Sequence, residues 1–379
     1  MKKLLLVIGI ILSFTSFLFA GGVIKIGGLF SLTGPAAHIG RAQRDACKLV
    51  FDMQNEKGGI YGKKIKLYQY DTQTNPTKAL LNAKKLVEKD KVDVIIGPTT
   101  TGAGMAIKPY LNKMKVPTFM HAGSDVIIAR PPVKYVFKSP YRSSVALGKI
   151  FNYMRHHGYK TYAFLYAADG FGRDGLKVSK KIQDKYGVKM VGSESFSRKD
   201  VDMTAQLVKV KDKNPDVIIC WTIGPAGGIV AKNKKRLGMK QPLFQCHGQC
   251  DPLFLKVAGA AAEGVIMPAT KVYVANQLPN DDPQKAKILS FVKAFKAKFG
   301  HAPGTMVAYG VDAAYIVVDA LERIKGSTDK EKLRDAIENT KGYVGISGIY
   351  NITPKDHNGL SIDDVVLVKV VNGKWKLVE

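Results

Sequence analysis

The feature that most constrains the fold is a repeated alternation of short β-rich runs with amphipathic helical patterns. A strand is expected at Val23 to Phe30, then a helix whose apolar positions recur from Ala42 to Met53, then a strand at Ile65 to Tyr70. Further strands are expected at 92–96 and 116–120, with helices of the same spacing between them. Strands that alternate with helices in this way form a parallel sheet covered on both faces. The chain up to residue 120 therefore predicts one open, doubly wound α/β sheet.

A second series of the same kind starts near Tyr135. Its strands and helices are expected at 135–138, 143–156, 161–166, 170–186, 203–211, 217–221 and 243–245. After Thr270 come three helical segments and a closing β segment, at 284–299, 306–324, 329–339 and 365–371. These late elements indicate two doubly wound parallel-sheet lobes that exchange chain more than once. Open parallel sheets bind ligands outside the carboxyl ends of their strands, so we expect the ligand between the lobes.

The N-terminus is typical of an export signal. Lys2 and Lys3 precede an apolar run from Leu4 to Leu12, and a second run ends at Ala20. These runs are too short and too interrupted by hydroxyl residues to make a comfortable membrane span. We therefore predict a signal peptide over residues 1–20, cleaved near Ala20, and a periplasmic mature protein. An uncleaved anchor is the alternative.

The positive charge is large but dispersed. The 379 residues carry a formal charge of +27, and the densest cluster, Lys232 to Arg236, falls where a helix would face water. A nucleic-acid site needs its basic residues grouped on one face. We therefore expect a solvated basic surface and no nucleic-acid partner, with a face that favours anionic ligands or a membrane surface as the alternative.

The familiar signatures of catalysis are missing from the sequence. The glycine-rich stretch 97–104 lacks the Gly-Lys-Ser/Thr ending of a phosphate loop, and neither His-Glu-x-x-His nor Gly-x-Ser-x-Gly occurs. Cys246 and Cys250, with His247 between them, are the one candidate pair for a disulfide or a metal, and free thiols are the third alternative. We expect a binding protein without cofactor or metal. If the protein were instead an enzyme, its nucleophile or metal ligands would have to come from Cys246, His247 and Cys250.

Hydroxyl and small residues occupy two loops that follow neighbouring strands. Thr99, Thr100 and Thr101 fall between a strand end and a helix start, where the unpaired N–H groups of the first turn can bind a carboxylate. The same threonines can instead cap the helix. The second loop, 121–125, has small residues that let a ligand approach the backbone. The two loops are expected to be neighbours.

Several motifs, taken together in their order and spacing, indicate a family. They are 26–35 (IGGLFSLTGP), 55–62 (NEKGGIYG), Asp71 with Asn75-Pro76, 97–101 (GPTTT), 168–172 (ADGFG) and 309–313 (YGVDA). From Ile24 to about Trp375 the chain resembles the leucine/isoleucine/valine-binding group of periplasmic substrate-binding proteins, which have the type I fold. The resemblance implies an ABC importer's receptor for a small carboxylate: a branched-chain or other hydrophobic amino acid, or an aromatic or aliphatic acid.

The resemblance also assigns ligand contacts by position. Hydroxyl and small residues would hold the carboxylate, namely Thr100 or Thr101, Ala122 and Ser124. Aromatic or apolar residues would form the walls: His38 or Ile39 in the first lobe, and Phe171 with Trp221, Thr222 or Ile223 in the second.

His247 departs from the family pattern. Amino-acid binders of this group pair the ligand's ammonium with a carboxylate at this position, whereas here Asp251 comes four residues later. A neutral histidine cannot supply that counter-charge, and an unpaired buried ammonium is unfavourable, which favours a ligand without one. Arg142 would then add a bidentate carboxylate contact. Its alternative is a hinge-surface arginine.

The resemblance finally implies the lobe boundaries. One lobe would comprise 21–141 plus 271–347 and the other 142–270 plus 348–379, joined by a hinge of three crossovers. Closure would trap the ligand and create a surface for an inner-membrane ABC permease, with the receptor acting as a monomer. A ligand sensor for a regulatory or signalling partner is the alternative function.

Overall fold

The structure is a computed structural model that describes residues 22–129 and 133–378. The predicted signal peptide, residues 1–20, lies outside the described residues. Within them the chain forms two α/β lobes built on two separate sheets. None of the helices in the described segments is long and apolar enough to cross a membrane.

Strands and helices alternate along most of the chain, as the periodicity predicts. The strands are β1 (Val23–Phe30), β2 (Lys64–Asp71), β3 (Val94–Ile96), β4 (Thr118–Met120), β5 (Val136–Lys138), β6 (Thr161–Ala167), β7 (Lys189–Phe196), β8 (Val217–Trp221), β9 (Leu243–Gln245), β10 (Ile266–Ala269), β11 (Tyr343–Val344), β12 (Ile349–Tyr350), β13 (Val366–Val371) and β14 (Lys374–Leu377). The helices are α1 (Ala37–Glu56), α2 (Pro76–Lys84), α3 (Thr101–Lys113), α4 (Ser143–His156), α5 (Gly170–Ile182), α6 (Thr204–Lys211), α7 (Ala226–Arg236), α8 (Pro252–Ala258), α9 (Lys285–Phe299), α10 (Thr305–Arg323) and α11 (Lys330–Glu338).

The first lobe is built on a five-stranded parallel sheet of order β2-β1-β3-β4-β5. Its last strand differs from the expectation, which placed 135–138 at the start of the second series. Instead β5 pairs in parallel with β4, with Thr118 opposite Val136. A buried strand of three residues carries no periodicity that shows which sheet it joins.

The second lobe is built on a seven-stranded sheet of order β14-β13-β10-β9-β8-β6-β7. Strand β10 was not predicted, because it is four residues long and contains Pro268, and proline disfavours strand interiors. It pairs in parallel with β9 and antiparallel with β13. The late segment around β13 thereby completes the second sheet, and the two doubly wound lobes predicted from the sequence are confirmed.

The chain passes between the lobes after β5, after β10 and before β13. The third passage differs from the expected boundary after residue 347. Tyr350, Ile352 and Leu360 lie in the apolar core of the first lobe, and only from Val366 does the chain enter the core of the second. The predicted boundary after residue 347 stays a prediction, and the structure places Tyr350 of the β11–β12 hairpin in the core of the first lobe.

Hydrogen bonds hold the crossovers together next to the lobe interface. The Tyr350 hydroxyl donates to the carbonyl of Ser139 at 3.0 Å. The Asn358 amide donates to the carbonyls of Lys138 and Pro140, both at 3.0 Å. The first crossover is therefore fixed by the third.

Candidate ligand-binding site

A cavity of about 320 Å³ lies between the lobes. Small-molecule sites typically measure about 300–1,000 Å³, so this one suits a small ligand. Much of its wall comes from loops at the carboxyl ends of strands of both sheets, where open parallel sheets bind ligands. These wall residues are Thr99, Thr100 and Thr101 after β3, His121 and Gly123 after β4, Pro140 after β5, Asp169 to Phe171 after β6, Arg198 after β7, Ile223 after β8, and His247 with Gly248 after β9.

The N-terminus of α3 opens into this cavity. Within the described residues the side chain of Thr100 makes no capping hydrogen bond, so the capping alternative is not realised for it. Thr101 Oγ1 instead lies 2.8 Å from Ser124 Oγ. The Gly104 N–H is the first to bond back to the Thr100 carbonyl, which leaves the preceding N–H groups available to an anion.

The N-terminus of α5 faces that of α3 from the other lobe. A Cβ atom at Gly170 would lie 3.6 Å from the backbone nitrogen of Gly102. Asp169 caps α5, with Oδ1 accepting from the N–H groups of Phe171 at 2.9 Å and Gly172 at 3.0 Å. The positive ends of two helix dipoles therefore converge at this part of the cavity.

Arg198 neutralises the acidic side chain in the wall. Its Nε donates to Asp169 Oδ2 at 2.6 Å, while Asp169 Oδ1 caps α5. Among the described residues Asp169 is the only carboxylate that lines the cavity. The described wall therefore offers an ammonium group no unpaired counter-charge, whereas a carboxylate meets the N-terminus of α3, beside a guanidinium and a second helix N-terminus that Asp169 already engages.

His247 is held by aromatic packing. Its ring lies edge-on to Phe171 and Trp221, with ring centroids 5.6 and 5.7 Å apart. Burial, and to a smaller extent Lys138, lowers the pKa of His247 to about 3. The imidazole is therefore neutral at physiological pH and does not act as a charged partner.

Lys138 lies beneath the loop that contributes Gly123 to the wall. Its Nζ donates to the carbonyls of Gly123 at 2.9 Å and Tyr141 at 3.0 Å. Burial lowers the pKa of Lys138 to about 7, so both of its protonation states are populated near neutral pH. Its charged form adds positive potential under the cavity.

Most of the residues predicted from the sequence come together here. The cavity wall includes Ile39, Thr100, Thr101, Phe171, Ile223 and His247. Ala122, Ser124 and Trp221 are fully buried, and Trp221 packs behind Phe171 with centroids 5.8 Å apart. Contact of each residue with a ligand stays a prediction.

Arg142 and His38 lie elsewhere. The Arg142 guanidinium pairs with Asp356 at 3.2 Å and lines a separate surface groove, and it is not among the residues that line the cavity, which favours the hinge-surface alternative over the predicted carboxylate contact. The reason is its place at the start of α4, from which the side chain extends toward the third crossover. His38 approaches Gly224 across the lobe interface, which leaves Ile39 as the wall residue.

Arg198, Met306 and Tyr309 line the cavity but were not predicted. Arg198 follows β7 by two residues, so its position after a strand end was a usable signal. Met306 and Tyr309 lie three residues apart on α10, whose buried positions gave no sign of which face reaches the ligand. The sequence therefore indicated the loops of the site better than its helical wall.

The cysteine segment forms no disulfide. Cys246 and Cys250 are buried free thiols, and Cys246 Sγ donates to the Thr222 carbonyl at 2.9 Å. Burial raises the pKa of Cys246 to about 12, which keeps the thiol protonated and unreactive. In the part of the chain that the structure describes, no group of three or more His, Cys, Asp or Glu side chains is arranged to hold a metal.

Two α/β lobes, linked by three crossovers around a cavity at the strand ends, define a ligand-binding protein of the type I periplasmic class. A family model described as periplasmic binding protein matches residues 23–374, and the chain belongs to this family. The family and the relatives it resembles are substrate-binding proteins and not enzymes.

Individual relatives differ in the ligands they are named for. The chain is 24% identical to the leucine-, isoleucine-, valine-, threonine- and alanine-binding protein of Pseudomonas aeruginosa, covering 86% of this chain and 85% of the relative. It is 27% identical to an extracellular ligand-binding receptor from Rhodopseudomonas palustris HaA2, with a TM-score of 0.86 over 94% of this chain and 100% of the other. A solute-binding protein of an ABC transporter from Rhodopseudomonas palustris BisB5, solved with 3,4-dihydroxybenzoic acid, shares 25% identity, with a TM-score of 0.77 over 94% of this chain and 96% of the other.

Proposed function

We propose that this protein is the periplasmic receptor of an ABC importer and that it binds a small carboxylic acid without an ammonium group. Aromatic acids and branched aliphatic acids are the classes that fit an apolar wall of this kind. The observation that carries the proposal is the charge pattern of the cavity: the first N–H groups of α3 are open to an anion, and the acid in the described wall, Asp169, is already paired with Arg198 and with the N-terminus of α5.

The carboxylate would lie at the N-termini of α3 and α5. There the N–H groups of the first turn of α3 and the Thr100 hydroxyl are free to donate, and the Arg198 guanidinium adds a planar partner. Charge-assisted hydrogen bonds of this kind are about twice as strong as neutral ones. The apolar part of the ligand would contact Ile39, Phe171 and Ile223.

An amino acid fits this charge pattern less well. Its ammonium would be buried against His247, which is neutral, and against Asp169, which is engaged by Arg198. Leaving a buried charge unpaired costs several kcal/mol. Relatives include both a branched-chain amino-acid binder and a dihydroxybenzoic acid binder, and the cavity favours the second kind of ligand.

Transport requires export and closure. We propose that residues 1–20 direct export and are removed near Ala20, and that the lobes close on the ligand about the three crossovers. An inner-membrane permease would then recognise the closed form. The dispersed positive charge stays a solvated surface in this scheme.

A thermal-shift screen of the mature protein tests the proposal. Each solute is added in excess over the protein: branched-chain amino acids, branched aliphatic acids, and benzoate with its derivatives. A ligand at 100 times its Kd that binds only the folded state stabilises it by about 2.7 kcal/mol, which raises Tm measurably. We expect shifts with ammonium-free acids only. A shift confined to amino acids would contradict the proposal.

A further inference from the structure

Lys138, the last residue of β5, lies where the cavity wall meets two of the crossovers. Its Nζ donates to the carbonyl of Gly123 in the wall at 2.9 Å and to that of Tyr141 in the first crossover at 3.0 Å. Its backbone N–H donates to the carbonyl of His357 in the third crossover at 3.1 Å. The side chain is fully buried. This amino group therefore fixes a loop of the cavity wall to the segments about which the lobes move.

A carboxylate from each lobe lies near this amino group. Burial lowers the pKa of Lys138 to about 7, and the charges that oppose this most strongly are those of Asp125 in the first lobe and Asp174 in α5 of the second. The two acids meet across the interface, where Asp174 Oδ2 accepts from the Asp125 N–H at 3.1 Å. Asp174 would move away when the lobes open, whereas the carbonyl acceptors of Nζ stay with the first lobe. Opening therefore removes a negative charge that favours the ammonium form of Lys138.

A bound carboxylate would act on Lys138 in the same direction as closure. The proposed carboxylate site at the N-terminus of α3 adjoins the loop that Nζ holds, since Thr101 Oγ1 lies 2.8 Å from Ser124 Oγ. A negative charge nearby favours the charged form of a lysine. Ligand binding and closure should therefore both strengthen the affinity of Lys138 for its proton.

Other ionisable groups lie around Lys138 in the neighbouring loops. His121 after β4 and His247 after β9 are uncharged near neutral pH, because burial lowers the pKa of each to about 3. Burial raises the pKa of the Tyr141 phenol well above its usual range. These three side chains therefore keep one protonation state around pH 7.

The crossovers contribute ionisable groups that have partners. The Arg142 guanidinium pairs with Asp356 at 3.2 Å. The ring of His357 bonds through Nε2 to Glu338 Oε1 at 2.9 Å. A proton that is taken up on binding is therefore assigned to Lys138, and variants of this residue test the assignment.

We propose that closure of the lobes on a carboxylate is coupled to protonation of Lys138, so that the closed, ligand-bound protein holds an ammonium group there and the open protein releases its proton near neutral pH. Lys138 is a positioning residue in this role, because it acts through the Gly123 loop. The inference rests on the proposed function, since the anion is the carboxylate assigned to α3. Protons taken up on binding make the affinity fall as the pH rises.

The size of the coupling follows from the two pKa values of Lys138. The lower one is about 7, and a rise of about one on binding is at the low end for a nearby opposite charge. Below both values and above both values, the free and bound proteins carry the same charge and Kd is constant. Between them, linkage predicts uptake of about 0.5 proton at pH 7.5, and a Kd about eightfold higher at pH 9 than at pH 6.

Isothermal titration calorimetry of the mature wild-type protein measures both quantities. The probes are 4-methylpentanoate, benzoate and leucine, each of which carries a carboxylate. Titrations at pH 7.5 in buffers of different ionisation enthalpy give the number of protons taken up. The two ammonium-free acids are also titrated at pH 6 and pH 9, whereas leucine is not, because its own ammonium loses its proton at high pH.

Two variants of Lys138 separate its charge from its structural role. Lys138→Arg stays charged at every pH tested and Lys138→Met is never charged, so neither should take up a proton and the Kd of each should be independent of pH. Lys138→Arg should bind more tightly than Lys138→Met. Lys234→Met is the matched control. Lys234 also donates to a backbone carbonyl, that of Met239 at 2.8 Å, and burial also lowers its pKa, but it lies outside the cavity, so this variant should keep the wild-type proton uptake.

The outcomes distinguish the coupling from the proposed function. Binding of an ammonium-free acid without proton uptake and with equal Kd at pH 6 and pH 9 would overturn the coupling alone, as would uptake that persists in Lys138→Met. If the Lys138 variants misfold, NMR of lysine-labelled wild type decides: a lysine that titrates near pH 7 should titrate at higher pH with the probe bound, and an unchanged titration would overturn the coupling. Binding of leucine alone would overturn the ammonium-free ligand, while its proton uptake would still decide the coupling. Binding of none of the three probes would overturn both.

Discussion

Asp174 of α5 ties the second lobe to the first, and its removal should weaken ligand binding without touching the cavity wall. Its carboxylate accepts from the backbone N–H groups of Asp125 at 3.1 Å and Val126 at 3.3 Å, both in the first lobe. It also accepts from the Ser143 hydroxyl at 2.7 Å. Asp125 in turn accepts from the Ser144 N–H at 3.0 Å. The bonds from Asp125 and Val126 to Asp174 and from Ser144 to Asp125 cross the lobe interface, so opening of the lobes would break them, whereas the bond from Ser143 to Asp174 lies within the second lobe.

The expected loss follows from the two interlobe bonds. Hydrogen bonds to charged groups contribute about 1.5–3 kcal/mol each, and these two are long and regain water on opening, so we expect about 2 kcal/mol in total. Asp174→Ala should therefore raise the ligand Kd about 30-fold by disfavouring closure. Asp174→Asn keeps one acceptor and should give an intermediate loss. Calorimetry gives Kd, and small-angle X-ray scattering of the protein with saturating ligand reports whether the lobes still close.

Asp216 provides a matched control, because its carboxylate also accepts from two backbone N–H groups, those of Lys160 and Thr161, both at 2.8 Å. All of these residues belong to the second lobe. Asp216→Ala should lower stability and leave Kd nearly unchanged. If Asp174→Ala binds ligand with the wild-type Kd, the closure argument is refuted.

Three further variants probe the charges around the cavity. The pKa of Lys138 is about 7 in the folded protein and about 10.4 in the unfolded chain. Between these two pH values the unfolded chain binds more protons, so the free energy of unfolding rises with pH. In urea melts from pH 7 to 9, the wild type should therefore gain about 2 kcal/mol of stability relative to Lys138→Met. The pKa of His247 is about 3 in the folded protein and about 6.5 in the unfolded chain, so acidification below about pH 6.5 protonates the unfolded chain first and lowers the free energy of unfolding. Between pH 6.5 and 4.5 the free energy of unfolding of His247→Leu should therefore fall by about 2 kcal/mol less than that of the wild type. Equal pH profiles would show that these side chains are not buried as described. Arg142→Ala should change the ligand Kd less than about twofold, because a partly exposed ion pair outside the cavity contributes little to binding. A large loss of affinity would show that Arg142 contributes to ligand binding.

The fold was largely predictable because periodicity is a local property. β1, α1 and β6 are long enough for their alternation to define them from the sequence. The differences fell on short or proline-containing pieces, namely β5, β10 and the β11–β12 hairpin. Which sheet such a piece joins is decided by tertiary packing, as Tyr350 shows by entering the core of the first lobe.

The site was predictable where it follows strand ends and unpredictable where it depends on side-chain direction. Thr100, Phe171 and His247 could be placed because loops at the carboxyl ends of parallel strands meet. Arg142 shows the limit: its sequence position next to the crossover was right, but its side chain pairs with Asp356, more than two hundred residues later in the chain.

Leucine and 4-methylpentanoate differ only in the ammonium group, so their relative affinity measures whether the cavity accepts that charge. Calorimetric titration of the mature wild-type protein with each should show binding of 4-methylpentanoate and at least about 100-fold weaker binding of leucine, since an unpaired buried ammonium costs several kcal/mol. Leucine binding as tightly as 4-methylpentanoate or tighter would show that the cavity does accept an ammonium group. The proposal of an ammonium-free ligand would then be wrong, and an amino acid would be the ligand.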